Sequence, residues 1–188
     1  MWRFFVDYAP PQELLDLLYG DGSKSWRIKS EQQNHFGLGD PGGGPFQHYG
    51  AGPGDKAGVG MYDDRYVFSS DGTIMHITDS TNDDPTNDPS GTVFGRENLI
   101  NELNGPGSGT ADGADITNYP YDDYTENWSI SAPGGVETLT LSGIGFIGYY
   151  IGGSHQYRIF DRSTPNELIL ASVDGNGEFT WWFIITSE

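Results

Sequence analysis

Short runs of alternating apolar and polar residues, each ended by turn residues, recur from residue 23 to the end of the chain and constrain its fold most strongly. The run SWRIK (25–29) places Trp26 and Ile28 on one face, as a half-buried strand requires. Two later runs, RYVFSS and TIMHIT, are joined by Asp71-Gly72, a dipeptide typical of tight hairpin turns. Successive hairpins without helices between them predict an antiparallel meander.

The predicted fold class is therefore all-β, with an antiparallel meander that closes as an up-and-down barrel or a tight β-sandwich. A jelly-roll sandwich is the alternative. One short N-terminal helix is predicted in PPQELLDLLYGDG, where Pro11 suits the first turn and Gly20 suits the position after the last turn. We expect residues 1–22 to form an extension with this helix, and residues 23–188 to form a single β domain.

Two stretches interrupt the meander, and we expect residues 34–60 and 79–127 to be long loops. Loops of this length in a compact domain are commonly functional or disordered. The first is rich in glycine and carries side chains that would form a stacking floor with polar rims: His35, Phe36, Phe46, His48, Tyr49 and Lys56. The alternative is that these aromatic residues only pin the loop to the sheet.

The second stretch begins with an acidic run that is the best candidate for a metal site. Calcium prefers hard oxygen ligands on a bending loop, and the candidate ligands are Asp79, Asp83, Asp84 and Asp88. Their spacing differs from that of an EF-hand loop, and a solvated loop is the alternative. Structural calcium is thus the one cofactor that the sequence suggests.

Two adjacent carboxylates, Asp63 and Asp64, follow Tyr62 directly before the predicted strand RYVFSS. Neighbouring residues on an extended backbone face opposite ways, so these two cannot flank one bond as a catalytic pair. Carboxylates accept hydrogen bonds from sugar hydroxyls well, which favours a role in ligand binding. The alternative is that they only shape a turn.

The consecutive tryptophans Trp181 and Trp182 pose a problem for any one-sided sheet. Side chains of consecutive strand residues point to opposite faces, so one indole must leave whichever core holds the other. Either both faces of this strand are covered, or one indole is an exposed platform for a ligand. Tyr149 and Tyr150 pose the same problem.

Charge narrows the range of partners. The chain has 27 acidic and 9 basic side chains, for a net charge of −18, which repels nucleic acid and anionic lipid. No segment is long and apolar enough for direct membrane insertion. Neutral ligands are not repelled, and the aromatic content of 14% favours sugars, whose CH-rich faces pack on rings.

Three segments carry a resemblance to a known group of proteins: KSWRIKSEQQNHFGLGDP, YGAGPGDKAGVGMYDDRYVFSSDGT and YRIFDRSTPNELILASVDGNGEFTWWF. Together they resemble a domain of surface lipoproteins and multimodular proteins in glycan-degrading Bacteroidetes, where PKD or immunoglobulin-like repeats often precede it. The likeness spans residues 23 to 183. The KSWRI segment and the closing meander also look like lipocalin-like barrels, in which a tryptophan after a short helix plugs one end.

The resemblance implies extracellular or cell-surface glycan capture as part of a larger multimodular chain, with β-glucans as a plausible ligand class. We therefore expect a non-catalytic module that binds polysaccharide or oligosaccharide, with these ligand-binding residues: His35, Phe36, His48, Tyr49, Lys56, Tyr62, Asp63, Asp64, Trp181 and Trp182. One alternative is a glycoside hydrolase or lyase that pairs Asp64 with Glu137 or Asp161. The others are a lipocalin-like pocket for a small apolar ligand and a structural spacer.

Overall fold

The computed structural model describes residues 8–78 and 91–188. The four candidate calcium ligands, Asp79, Asp83, Asp84 and Asp88, lie outside the described residues. Regular structure begins with one α-helix, α1 (Gln12–Tyr19), and two short 3-10 helices occur at Ile100–Leu103 and Pro133–Gly135. The strands follow in chain order: β1 (Ser23–Ile28), β2 (Phe36–Gly39), β3 (Tyr49–Gly50), β4 (Arg65–Ser69), β5 (Thr73–Ile77), β6 (Thr92–Arg96), β7 (Thr110–Asp112), β8 (Asp115–Pro120), β9 (Tyr124–Ser131), β10 (Thr138–Leu141), β11 (Tyr149–Tyr150), β12 (Gln156–Asp161), β13 (Glu167–Val173) and β14 (Thr180–Ser187).

An antiparallel barrel forms the main body of the described residues. Its strands pair in the order β1-β4-β5-β9-β10-β12-β13-β14, and β14 pairs again with β1, which closes the sheet. In this closing pair Ile28 lies opposite Ile185. The prediction of an all-β up-and-down barrel with a short N-terminal helix is thus confirmed, and closure leaves these eight strands without a free edge.

Local turn chemistry explains the hairpin between β4 and β5. Gly72 has φ +87°, a conformation that side-chain-bearing residues rarely adopt, and the Asp71 carboxylate accepts a hydrogen bond from the Thr73 backbone N–H at 3.0 Å. The register that follows pairs Val67 with Met75. The Asp-Gly signal in the sequence therefore determined this hairpin.

Helix α1 packs against the barrel beside β1. Its apolar residues Leu14 and Leu18 are buried, and the Trp26 indole N–H of β1 donates to the Leu18 carbonyl oxygen at 2.8 Å. Gly20 ends the helix with φ +61°. The helix and this tryptophan together cover part of the core.

The barrel interior is filled with side chains. One continuous buried cluster contains aromatic and aliphatic residues from every barrel strand except β9, and among its members are Trp26, Phe68, Leu139, Leu168 and Phe183. Strand β9 contributes the half-buried Trp128 and Ile130, which pack against this cluster. Such a packed interior resembles the core of a small barrel and disfavours an apolar ligand pocket inside it.

A second sheet takes three of its strands, β6, β7 and β8, from the stretch 79–127 that was expected to be a long loop, and its fourth strand, β11, from Tyr149–Tyr150. Its strand order is β11-β6-β8-β7, and β11 runs parallel to β6. This sheet has its own buried cluster around Val93, Ile100 and Ile116. Tyr150 belongs to that cluster and Tyr149 to the barrel cluster, so β11 is covered on both faces.

No helix within residues 8–78 and 91–188 combines the length and the apolar character that crossing a bilayer would need.

Candidate functional site: an aromatic groove between the two sheets

A groove of about 270 Å³ opens where the barrel meets the second sheet. Strands β2, β3 and β14 form one side of it, and β6 and the start of β8 form the other. We call it the aromatic groove and define it by its lining residues: Phe36, Leu38, Tyr49, Lys56, Arg96, Ala114, Asp115 and Trp181. Four of the sequence-predicted ligand residues, Phe36, Tyr49, Lys56 and Trp181, therefore meet in one place.

Three aromatic rings form the apolar part of the aromatic groove. Phe36 stacks on Trp181 with ring centroids 5.4 Å apart and an interplanar angle of 21°, and Tyr49 contacts Phe36 edge-on at 6.4 Å. The pairing of β14 with β2 places them together, since it aligns Trp181 with Leu38 and Phe183 with Phe36. Phe36 and Trp181 are almost fully buried, whereas 37% of Tyr49 is exposed. Tyr49 is thus the ring that a ligand can reach.

Polar anchors hold the Trp181 indole in the floor of the groove. Its N–H donates to the Asp174 carboxylate at 3.3 Å, and the same carboxylate accepts the Glu178 backbone N–H at 2.8 Å. Asp174 is itself buried in the turn between β13 and β14. The floor is therefore a rigid surface.

Charged groups of both signs surround the rings. The Lys56 ammonium lies 5.6 Å from the Tyr49 ring centroid and 5.4 Å from that of Phe94, within the range of cation–π attraction. Within the described residues this ammonium makes no hydrogen bond and no ion pair. Arg96 lies over Trp181 at 5.7 Å and pairs with Glu178 at 2.9 Å, and the Asp115 carboxylate accepts the Tyr149 hydroxyl.

Two predicted ligand residues, His35 and Tyr62, lie beneath the groove. The Lys56 backbone N–H donates to the Tyr62 hydroxyl oxygen at 2.9 Å, and that hydroxyl lies 2.7 Å from His35 Nε2. His35 Nδ1 lies 2.8 Å from the Gln32 carbonyl oxygen, which can only accept, so Nδ1 carries the proton and Nε2 accepts from Tyr62. Burial lowers the pKa of His35, which keeps the ring neutral. These residues position Lys56 and are buried from solvent.

Asp63 and Asp64 are buried, with 1% and 0% of their surfaces exposed, so no ligand reaches them in this structure. The Asp64 carboxylate lies 2.9 Å from His76 Nε2 and accepts the Tyr66 hydroxyl at 3.3 Å. His76 is fully buried as well, and burial lowers its pKa to about 3, with Asp123 acting in the opposite direction. The imidazole is therefore neutral at physiological pH, and this group of residues belongs to the interior.

His48 is exposed but does not line the aromatic groove. It pairs with Asp40 at 2.8 Å and contacts Phe179 edge-on at 6.3 Å. Phe179 in turn contacts Trp181 at 6.4 Å. His48 thus lies behind Phe179 as seen from the groove.

Trp182 lies on the opposite face of β14 from Trp181 and is also fully buried. Phe46 of the glycine-rich stretch covers it at 6.0 Å, and Phe160 contacts it edge-on at 4.9 Å. Gly37 permits this cover, because a Cβ there would lie 2.3 Å from the Tyr49 carbonyl oxygen and 2.7 Å from the Phe46 ring. Both faces of β14 are therefore covered, which answers the question that the tryptophan pair raises.

Arg96 and Asp115, which complete the lining of the aromatic groove, were not among the ligand residues predicted from the sequence. Arg96 ends the run TVFGR, whose β-branched and aromatic residues are typical of a strand, and Asp115 begins DITNYP. These two runs were a signal for the second sheet. Their approach to β2 and β14 depends on tertiary contacts that no local pattern carries.

No protein-family model matches the chain, and no curated protein sequence matches it significantly. The likeness to Bacteroidetes surface domains therefore stays a prediction.

Proposed function

We propose that the protein is a non-catalytic carbohydrate-binding module and that the aromatic groove holds a neutral sugar of a polysaccharide or oligosaccharide. The single observation that carries the proposal is the 37% exposed Tyr49 ring beside the Asp115 carboxylate and the Lys56 ammonium, which has no hydrogen-bond or ion-pair partner among the described residues. β-Glucans are the ligand class that we favour.

The chemistry of a sugar suits this combination of groups. The CH-rich face of a pyranose ring packs on an aromatic face, here that of Tyr49 above the Phe36 and Trp181 floor. Sugar hydroxyls both donate and accept hydrogen bonds, so they can accept from Lys56 and donate to Asp115. A volume of about 270 Å³ is near the lower limit of ligand pockets, about 300 Å³, and suits one sugar unit of a chain that continues into solvent.

Catalysis is less well supported. Glycoside hydrolases of the common type need two carboxyl groups about 5 to 9 Å apart across the bond. Among the described residues that line the aromatic groove, Asp115 is the one carboxylate. Asp64 is fully buried, Glu137 is held by Arg162 at 2.8 Å, and Asp161 accepts the Ser163 backbone N–H at 2.9 Å. None of these supports the hydrolase alternative.

The proposal extends to the setting of the protein. A module that only binds glycan is useful where it retains the glycan near enzymes that act on it. We therefore propose that the protein lies at the cell surface or outside the cell, in a larger multimodular chain. Its net charge of −18 is compatible with a neutral glycan and opposes binding to nucleic acid.

Affinity electrophoresis in gels that contain laminarin, lichenan, xylan or xyloglucan tests the proposal. We expect retardation by at least one glycan, with laminarin and lichenan first, and a loss of about tenfold in affinity for Tyr49→Ala, in line with the energy of an aromatic contact. Phe160→Ala is the matched control, because Phe160 is 50% exposed and lies outside the aromatic groove.

Two results would contradict the proposal. One is the absence of retardation by every glycan in the panel. The other is an equal loss in the Tyr49→Ala and Phe160→Ala variants, which would place binding elsewhere. Release of reducing ends from the same glycans would instead favour the hydrolase alternative.

A further inference from the structure

A second groove lies on the outer face of the barrel, away from the aromatic groove. It has a volume of about 310 Å³ and crosses strands β10, β12, β13 and β14, with Gly42 of the glycine-rich stretch at its rim. We call it the arginine groove, because Arg158 of β12 lines it and is its one charged side chain among the described residues.

Strand register explains the shape of the arginine groove. Thr138 lies opposite Arg158, Arg158 opposite Ala171, and Ala171 opposite Trp182, so one row of side chains crosses four strands. The small Ala171 separates two large neighbours and leaves a depression between them. In the next row Val173 lies opposite Thr180. The depression therefore has an apolar base and polar walls.

Among the described residues Arg158 shares with Lys56 alone the lack of any hydrogen bond or ion pair from its cationic group. Arg27, Lys29, Arg65, Arg96 and Arg162 pair with carboxylates, and Lys24 donates to backbone carbonyls. Within the described residues the Arg158 guanidinium makes no ion pair and no hydrogen bond, and its Nε is buried. It is held only over the rings of Trp182 at 5.5 Å and Phe160 at 5.8 Å. A guanidinium has five N–H donors, so this one is held in position with its donors unused by residues 8–78 and 91–188.

A second observation points to a ligand at the same place. Thr180 is 4% exposed, it lines the arginine groove, and its hydroxyl oxygen has no hydrogen-bond partner among residues 8–78 and 91–188. Buried hydroxyls are normally hydrogen-bonded, because leaving one unpaired costs free energy. Thr138, Ser154 and Gln156 add further donors and acceptors to the walls.

From these contacts we infer that the arginine groove binds a hydroxylated carboxylate, the chemical class of the uronic acids. The carboxylate accepts the paired N–H groups of Arg158, and the ligand hydroxyls exchange hydrogen bonds with Thr180, Thr138 and Gln156. No carboxylate is among the described lining residues, so nothing in the lining repels an anion. The inference does not rest on the proposed function, since it concerns a different face of the barrel.

The two adjacent tryptophans provide separate reporters for the two grooves. Trp181 lines the aromatic groove, and Trp182 contacts Arg158 on the other face of β14. Their indole N–H signals in ¹H–¹⁵N spectra can be assigned with Trp181→Phe and Trp182→Phe variants. A ligand of the arginine groove should move the Trp182 signal and leave the Trp181 signal in place.

The experiment titrates the full chain with sodium glucuronate, with glucose and with sodium sulfate at matched ionic strength. We expect glucuronate to move the Trp182 signal saturably, glucose to leave it unchanged, and sulfate to bind at least tenfold more weakly. Arg158→Met keeps the apolar stem over the rings and should weaken glucuronate binding at least tenfold, while Lys56→Met, the matched change in the aromatic groove, should not. Thr180→Val, which changes no charge, should weaken it about threefold.

Several outcomes would overturn the inference. The absence of a saturable glucuronate shift would do so, and so would equal binding by the wild type and Arg158→Met. Sulfate binding as tight as that of glucuronate would overturn the assignment to a hydroxylated carboxylate. A shift of the Trp181 signal alone on adding glucose would report binding in the aromatic groove. The two proposals can therefore fail separately.

Discussion

The aromatic groove and the arginine groove lie on opposite faces of the same strand, β14, and each contains a cation without a carboxylate partner among the described residues. In the aromatic groove Lys56 lies over exposed and buried rings with Asp115 nearby. In the arginine groove Arg158 is held over two rings, with hydroxyl and amide side chains around it and no carboxylate in the described lining. The first combination suits a neutral hydroxylated ligand, and the second suits an anion.

The two grooves also differ in how the chain builds them. The arginine groove arises from the register of neighbouring strands, in which a small residue lies between two large ones. The aromatic groove needs β2 and β3, a lysine from the following loop, and two residues of the second sheet. A site made from one sheet face depends on local alternation, whereas a site between two sheets depends on how they pack.

Acid should produce the largest effect, because it destabilises the closed barrel on which both grooves depend. Burial lowers the pKa of His76 to about 3, below the value of about 6.5 in an unfolded chain. Below pH 6.5 the unfolded chain therefore binds a proton that the folded protein does not bind. This one group should reduce the free energy of unfolding by about 1.4 kcal/mol per pH unit between pH 6 and pH 4.

Denaturant unfolding of the wild type and His76→Gln at pH 7, 5.5 and 4.5 measures this contribution. The variant is less stable at pH 7, since it loses the buried ring, but the difference between the two proteins should shrink as the pH falls. A constant difference across the three pH values would show that His76 is not buried in its neutral form.

The next largest effect is the difference in unfolding free energy between the Trp181→Phe and Trp182→Phe variants. Trp181→Phe removes the indole donor to the buried Asp174 carboxylate and should cost about 2 to 3 kcal/mol of unfolding free energy. The Trp182 indole N–H has no hydrogen-bond partner among the described residues, so Trp182→Phe should cost about 1 kcal/mol or less. Thermal or denaturant unfolding checks the order. If Trp182→Phe is the more destabilising change, the Trp182 indole N–H has a hydrogen-bond partner in solution. The expected difference between the two faces of β14 is then wrong.

Lys56→Met should have a smaller effect, on the affinity of the aromatic groove for a neutral glycan, and so tests whether the two grooves bind separately. Loss of one hydrogen-bond donor should weaken neutral glycan binding about three- to tenfold, the range of about 0.7 to 1.4 kcal/mol that a single hydrogen bond contributes. Isothermal titration with a soluble oligosaccharide of the retarding glycan measures it. Arg158→Met is the matched control and should bind that oligosaccharide as the wild type does; a loss in both variants would mean that one ligand spans both faces.

Thr180→Val should have the smallest effect on the fold. The substitution is nearly isosteric and removes a buried hydroxyl without a hydrogen-bond partner among the described residues, so stability should be unchanged or rise by up to about 1 kcal/mol. The stability of Thr180→Val is compared with that of Ser172→Ala, a variant that removes the hydroxyl of a buried residue in β13. A clear loss of stability in Thr180→Val would indicate that the Thr180 hydroxyl has a partner in solution, which would weaken the case for the arginine groove.

Much of the barrel was predictable because its signals are local. The helix at Gln12–Tyr19, the Asp71-Gly72 hairpin and the alternation within each strand follow from neighbouring residues alone. So did the placement of Trp181 and Trp182 on opposite faces. Four ligand candidates, Phe36, Tyr49, Lys56 and Trp181, line one groove in the structure, and their binding role stays a prediction.

Burial of the remaining candidates was not predictable from sequence. Asp64 and His35 carry the side chains of a binding site, but their neighbours in space are Tyr66, His76 and Tyr62 from the barrel and its adjoining loop. Asp63 is buried as well. Whether a polar side chain faces solvent or an internal partner depends on the segments that pack over it. The pairing of β4 with β5, for example, brings His76 to Asp64.

The sequence by itself determined the N-terminal helix, the hairpin turn at Asp71-Gly72 and which side chains of a barrel strand share a face, because these properties depend on steric and hydrogen-bond preferences within a few residues. Only the tertiary structure decided that β1 closes on β14, that β6, β7, β8 and β11 form a second sheet, and that Arg96 and Asp115 complete the aromatic groove. The physical reason is that these contacts join segments distant along the chain, where the burial of apolar surface over the whole molecule selects the pairing.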